Sequence, residues 1–576
     1  MPLIKDLLVG ETKTNSKIEL DKFHKDERIA KDELKHAERQ QDLKVDINLE
    51  VATRQSSDAR KRGDELEKKH HFEYETIEQT DILLMQVPNI NESGYYSGIV
   101  ALKSYINKYH SDISIKVIDP IIDYFYENPP DLRGKFMGDF NTFVNSGKFW
   151  IMYQHKEIYT MMDFISKYID KAKPRFFGFS LIDGNIDASL ALSKLVKERY
   201  PDIKTLLGGN GAQMLNGGLM PSNEYNIDTY HWIDYIVRGD GEQTLVDLYN
   251  CNETHEELNK INGLIWQKHK TEPDSLQTVF VSWVYNEKRD NTAMENLPFP
   301  DYEDLKGNFY YLKSYGDSVP LVFSKGCPYR CTFCSVPTFV PDFRYRSHES
   351  VIGEIEDWVK QGKTGFFCHD SIVNGNPLWL KQLCEMIIDK GWGDGYIKWG
   401  GNFRIQMPMR DINNVRLYNK AGVEWMISGL ESASKPVLRH MKKYSSIEGT
   451  HEIFRNIREV NRTSDRPIKI MLQLIIGYLN ESEEDFQKTM DFVREYHDVV
   501  HEVLTCSLFL LWQPLLKQWE KEGNWIEFKN EVQWTTEFNT VEQRLDRIIR
   551  IEELFKELKL PYNVYHRGNY EDLVGK

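Results

Sequence analysis

From Thr80 onward, short apolar runs alternate with longer stretches whose apolar residues recur every three or four positions. Residues 81–88 carry the unbroken run Ile82-Leu83-Leu84-Met85 and end in Pro88, the pattern of a strand buried on both faces. Residues 99–109 read as an amphipathic helix and 113–118 as a second strand. Further strands are expected at 176–180, 204–207 and 233–237, with a helix over 188–200. Such alternation predicts an α/β fold with an open, doubly wound sheet, which binds ligands beyond the carboxyl ends of its strands. Glycines stand at those ends: Gly208-Gly209 after the fourth strand, and Gly239 within Arg238-Gly239-Asp240-Gly241-Glu242 after the fifth. A glycine there lets backbone approach a ligand, or simply turns the chain.

A second alternation begins at the apolar run 320–323. Strands are expected at 364–370, 396–402, 423–428, 469–477 and 503–509, most of them separated by helix-length segments such as 349–361 and 378–389. About six β/α units imply a partial barrel, whose working residues sit at the carboxyl ends of the strands. That rule nominates Asp370, Arg404, Glu431 and Gln473. Ser347 or His348 is placed to cap the helix that follows.

The flanks have a different texture. Residues 1–76 are rich in Lys, Glu, Asp and Gln with too few apolar positions for a buried face. They read as a solvated, partly helical or disordered extension, or as a docking arm. The stretch 121–173, aromatic around Phe149-Trp150, is an insertion that packs on the sheet or forms a lid. The tail carries Trp512, Trp519, Trp525 and Trp534 and a helical pattern over 541–558, suited to closing the barrel's open side or shaping a substrate pocket. The expected division is 1–76 extension, 77–255 doubly wound domain, 256–315 connector, 316–510 barrel and 511–576 helical C-terminal region.

Composition narrows the function. A net charge of −15 over 576 residues argues against a mainly electrostatic nucleic-acid binder. There is no apolar run of membrane-spanning length, and Met1-Pro2-Leu3-Ile4-Lys5 lacks a signal-peptide pattern, so the cytoplasm is the default expectation. Of seven cysteines, three cluster in Cys327-Pro-Tyr-Arg-Cys331-Thr-Phe-Cys334, directly after the 320–323 run. Three thiolates on a short loop can hold three irons of a cubane cluster and leave the fourth open to a small molecule. A zinc site would need a fourth donor, for which His348 is the nearest candidate. Buried free thiols or a disulfide would also be compatible with the spacing.

Cys327, Cys331 and Cys334, with Phe333 just before the last, resemble the signature loop of the radical S-adenosylmethionine (SAM) superfamily. That resemblance implies a [4Fe-4S] cluster whose open iron is chelated by SAM, and an electron that splits the sulfonium into methionine and a 5′-deoxyadenosyl radical. The segments 233–244, 261–265 and 296–302, in that order ahead of the loop, are similar to the cobalamin-binding half and connector of the B12-dependent class. The implied architecture is an N-terminal Rossmann-like cobalamin-binding sheet, a partial (β/α)6 radical SAM barrel and a helical C-terminal region. Carried over position by position, the resemblance sets Ser180, Gly208, Gly209, Gly239 and Glu242 at cobalamin, and Phe333, Asp370, Arg404, Glu431 and Gln473 at SAM. Two departures stand out. Cys368-His369-Asp370 replaces the Gly-Gly-Glu sometimes found after the second barrel strand. No Asp-x-His-x-x-Gly occurs between residues 80 and 250, which fits cobalamin held without a protein histidine on its lower face, or loss of the cofactor.

The activity so implied is methylation of an unactivated carbon in a small-molecule or peptide substrate, with an electron donor such as flavodoxin or ferredoxin as partner. Cobalamin-associated cyclisation or rearrangement competes with that reading, as does a non-catalytic iron-sulfur protein.

Overall fold

Ile82–Met85 form β1, and their alternate side chains explain the unbroken apolar run. Leu83 and Met85 enter one hydrophobic core, Ile82 and Leu84 another on the opposite face of the sheet. The computed structural model describes residues 78–87, 97–120, 156–182, 185–215, 227–271, 278–305, 318–530 and 532–565. These lie within one unit, Tyr74–Lys576. The charged extension and residues 121–155 of the expected insertion fall outside the described residues.

β1 is flanked by β2 (Ile115–Ile118) and β3 (Phe176–Ser180), followed by β4 (Lys204–Gly208) and β5 (Tyr235–Val237), all parallel in the order β2-β1-β3-β4-β5. The crossovers are α1 (Ser97–Tyr109), α2 (Lys156–Ala172) and α3 (Ile186–Arg199), and α4 (Glu242–Asn250) follows β5. The strand order reverses at β1 and β3, so a crevice opens beyond their carboxyl ends. α2 occupies the end of the expected 121–173 insertion and carries the chain from β2 past β1 to β3. The sheet also runs past the expected boundary at 255. An antiparallel hairpin, β6 (Leu264–Thr271) and β7 (Thr278–Tyr285), adds to β5.

The second sheet is all parallel. Its order is β8 (Val319–Leu321), β11 (Gly365–Cys368), β12 (Lys398–Phe403), β13 (Val423–Glu431), β14 (Lys469–Ile476), β15 (Val500–Leu508) and β18 (Tyr562–Tyr565). Two-residue strands β9 (Ser324–Lys325) and β10 (Arg344–Tyr345) pair antiparallel and bracket the cysteine loop. The outer helices are α5 (His348–Lys360), α6 (Pro377–Asp389), α7 (Ile412–Lys420), α8 (Lys435–His440), α9 (Ile447–Thr463) and α10 (Glu483–Tyr496). As expected, Ser347 caps α5, its side chain accepting from Ser350 N.

β14 shows that the barrel is hollow. Ile470, Leu472, Leu474 and Ile476 are buried in the helix-side core, while Met471, Gln473 and Ile475 between them are half-buried on the other face. A sheet covered on both faces would bury both sets.

The tail departs from a purely helical region. Besides α11 (Gln513–Lys521) and α12 (Val541–Glu557) it supplies the ribbon β16 (Ile526–Phe528) and β17 (Trp534–Thr536), then β18. β18 pairs with β15 as a seventh parallel strand, one more than the six-unit pattern implies. Tyr562-Asn-Val-Tyr565 is too short and mixed to show a strand period. Among the described residues, no helix is long and apolar enough to cross a membrane.

Candidate active site between the two sheets

The cysteine loop is held at its stem, at its tip and from behind. Asp370, just after β11, is fully buried and its carboxylate accepts from Phe323 N at 3.0 Å, Ser324 Oγ at 2.6 Å and Ser324 N. It thus braces the loop's stem. Burial pushes its pKa up to about 6 even though those donors oppose the shift. Gly326 turns the chain with φ +83°, and a Cβ there would stand 2.2 Å from Asp342 O, so a larger residue is excluded. At the tip, Thr332 N donates to Met441 O at 3.0 Å, and its carbonyl accepts from Trp512 Nε1 at 2.8 Å.

Cys327, Cys331 and Cys334 are free and half-buried. Burial pushes Cys334 up to about 11 and raises Cys327 as well, so metal binding must displace protons from both. Among the described residues no group of three His, Cys, Asp or Glu side chains could hold a single metal ion. Three thiols that each take a separate iron of a cubane need not converge on one point. Three thiols on one short loop are the donor chemistry that a cluster of several irons takes.

Two of the nominated residues flank this loop. Arg404 Nη1 donates to Cys331 Sγ at 3.6 Å while its guanidinium lies 4.0 Å from the Tyr329 ring centroid. Glu431, at the end of β13 with φ +63°, accepts from Lys443 Nζ at 2.8 Å, and both side chains are over nine-tenths buried. Its charge is among those that raise the Cys334 thiol. The pair fits because residue 429 is glycine: a Cβ there would lie 2.1 Å from Glu431 Oε1 and 2.8 Å from Lys443 Nζ. Gly429→Ala is expected to cost about 1–3 kcal/mol by forcing this pair aside. Chemical denaturation checks it, and an unchanged midpoint would show that the pair can shift freely. Gln473 pairs in register with Gly429 and faces the hollow side of β14. Phe333 is half-buried against a hydrophobic cluster containing Met441 and Tyr478.

Between the two sheets lies a cavity of about 630 Å³. Ser180, Gly208, Gly209, Gly239 and Glu242, separated by up to 62 positions, all line it. They come from the carboxyl ends of β3, β4 and β5. The opposite wall is the stem of the cysteine loop (Ser324, Lys325, Gly326) with Arg346, Phe367, His369 and Asn402 from the barrel. Seven of the described lining residues are glycine, and the position where Gly239 would carry a Cβ is open for 4 Å. A wall made of backbone suits a large ligand edged with hydrogen-bonding groups. Among the described residues the cavity's one histidine, His369, is on the barrel wall and is kept neutral by burial, its pKa pushed down to about 3.

Charges join the two walls. Asp240, after β5, accepts from Lys325 Nζ at 3.2 Å and Arg344 Nη1 at 2.8 Å, and Glu242 lies 3.5 Å from Lys325. Burial alone would raise Asp240, but the two cations overcome it and hold the carboxyl below its ordinary value. Lys325 is two residues before Cys327, so this pairing ties the first sheet to the cysteine loop. Sequence reasoning misses Lys325, Arg344, Asn402 and Lys443. Lys325, Arg344 and Asn402 have partners 32 to 104 residues away, and no local pattern marks them.

Residues 321–493 match the radical SAM superfamily. The chain is 27% identical to the anaerobic magnesium-protoporphyrin IX monomethyl ester cyclase of Rubrivivax gelatinosus, over 63% of this chain and 61% of that protein. It is also 27% identical to the bacteriochlorophyllide d C-12(1)-methyltransferase of Chlorobaculum tepidum, over 35% of this chain and 42% of that one. The chain thus spans less than two thirds of the length of these curated relatives. Among solved structures, the radical SAM methyltransferase TsrM of Kitasatospora setae, with tryptophan substrate and a SAM analogue bound, superposes with a TM-score of 0.54 at 16% identity. That superposition covers 77% of this chain and 76% of TsrM. TsrM is also known with cobalamin and a [4Fe-4S] cluster bound. With its doubly wound sheet ahead of the barrel and its three-cysteine loop, the chain carries a match to the radical SAM superfamily over residues 321–493 and is similar in architecture to a radical SAM methyltransferase known with cobalamin and a [4Fe-4S] cluster bound.

Proposed function

We propose that the chain holds a [4Fe-4S] cluster at Cys327, Cys331 and Cys334, takes up SAM and a cobalamin, and methylates an unactivated carbon of a small-molecule or peptide substrate. The observation that carries this reading is the 630 Å³ cavity, with the glycine-rich ends of the first sheet on one wall and the stem of the cysteine loop on the other. When bound, the cluster and SAM supply a carbon radical and cobalamin supplies the methyl group. The chain's own residues position and shield. Gly208, Gly209 and Gly239 offer backbone to the cobalamin edge, and Ser180 and Glu242 add polar groups. Arg404 holds the Cys331 sulfur by a hydrogen bond, and Asp370 fixes the loop's stem.

A second reading, radical ring closure, is favoured by the match to a cyclase over 63% of the chain. Anaerobic reconstitution with iron and sulfide, then hydroxocobalamin and SAM carrying a labelled methyl group, separates the two. Label in the product supports methylation; a product that gains a ring and no label supports closure. Cys331→Ala is expected to lose the iron absorbance and all SAM cleavage yet still bind hydroxocobalamin. Continued cleavage by that variant would sink the cluster assignment.

A further inference from the structure

We propose that Asp240 couples the large cavity to the cysteine loop, so that cobalamin in the one and a cluster on the other each strengthen the binding of the other. Asp240 acts as a positioning residue for both sites. The coupling rests on the reading above of what those sites hold.

One carboxylate grips both strands that bracket the loop. Asp240 Oδ1 accepts from Lys325 Nζ on β9 at 3.2 Å, and its Oδ2 accepts from Arg344 Nη1 on β10 at 2.8 Å. The three thiols lie on the chain between those two strands. Thr292 closes the contact into a ring. Its N–H donates to Asp240 Oδ2 at 3.1 Å, and its carbonyl accepts from the same Arg344 Nη1 at 2.6 Å. Glu242 reaches β9 alone, 3.5 Å from Lys325. Asp370 braces the stem from within the barrel, whereas Asp240 brings the first sheet to bear on it. With Asp240 12% and Arg344 18% exposed, solvent screens their contact little.

The same segment is part of the cavity wall. Gly239, Asp240, Gly241 and Glu242 all line it, and Gly239 has a φ of +77°. A carboxylate between two glycines stands on permissive backbone, so a ligand pressed against this wall fixes where the carboxylate sits. Arg344 is not among the described residues lining the cavity, and it senses an occupant through Asp240. In the other direction, thiols tied to one cluster fix the ribbon, the ribbon holds Asp240, and Asp240 holds the wall. Linkage of this kind is reciprocal: whatever the cluster adds to cobalamin affinity, cobalamin adds to the hold on the cluster.

The test is an anaerobic titration of the full chain with hydroxocobalamin, with and without the reconstituted cluster, read as the fraction retained on ultrafiltration. Wild-type protein is expected to bind about fivefold or more tightly when the cluster is present. Arg344→Gln removes a donor outside the cavity, so it should abolish that gain while leaving the iron-free affinity within about twofold of wild type. Asp240→Asn should abolish the gain too, because an amide offers one acceptor oxygen where the two cations use both. Asp163→Asn, exposed on α2, removes a carboxylate elsewhere and should keep the gain. With hydroxocobalamin bound, wild-type protein should also give up its iron to a chelator more slowly, and Arg344→Gln should not. Equal wild-type affinity with and without the cluster would overturn the proposal, as would a gain that survives in both variants. The wild-type comparison stands whether or not a variant folds. Hydroxocobalamin bound by neither form would defeat the reading of the cavity, and the coupling with it. Iron content and denaturation midpoint show that each variant is loaded and folded.

Discussion

Lys443→Met is expected to lower the unfolding free energy by about 3–5 kcal/mol, because it strands a buried carboxylate. Glu431 and Lys443 are 9% and 7% exposed, and Lys443 Nζ donates to Glu431 Oε1 at 2.8 Å. Taking both charges out of water costs free energy that their mutual attraction offsets; with one partner gone the cost remains. The damage should reach the cluster loop, since Glu431 already acts electrostatically on Cys334. Denaturant titration of the anaerobic protein measures the loss. Adding Glu431→Gln to Lys443→Met should recover part of it, because the stranded charge is removed. If the single and double variants are equally unstable, the effect comes from packing and not from an unpaired charge.

The second large effect is expected at Asp370. Asp370→Ala leaves the N–H groups of Phe323 and Ser324 without their acceptor in a buried setting, at about 1–3 kcal/mol each. Since these residues form the stem of the cysteine loop, the variant should also take up little iron. Asp370→Asn is not expected to rescue it. An amide offers one oxygen where the carboxylate offers two, and its NH2 would face one of the donors. Iron content after reconstitution, read beside the denaturation midpoint, is the check. Full iron loading in Asp370→Ala would show that the loop keeps its shape without this support.

Much of this architecture is legible in the residues alone because the relevant signals are local. β1 announces itself since both its faces are covered, so four successive apolar residues have somewhere to go. The cysteine loop is recognisable because its spacing is complete within eight residues. Glycines after strands read equally as turns or as ligand approaches, and the fold brings Gly208, Gly209 and Gly239 to one cavity. What stays hidden depends on distant partners. Asp370 and Ser324 lie 46 residues apart, and Lys325 and Asp240 85 apart, so neither contact leaves a trace in any short window. A polar residue at a strand's carboxyl end fits the ligand rule whether it meets a ligand or the protein's own backbone, so sequence alone does not reveal that Asp370 braces the loop's stem. The β6–β7 hairpin falls within the expected connector because its role is fixed by β5, on which it pairs.

The tie between Trp512 and Thr332 spans 180 residues. A ribosome that has just released the three thiols still has to make that tryptophan, and after it the strand that completes the sheet at β15. Until then the thiols sit on a tip whose rear brace does not exist. The tip that carries the thiols is therefore braced only by a chain made at least as far as Trp512.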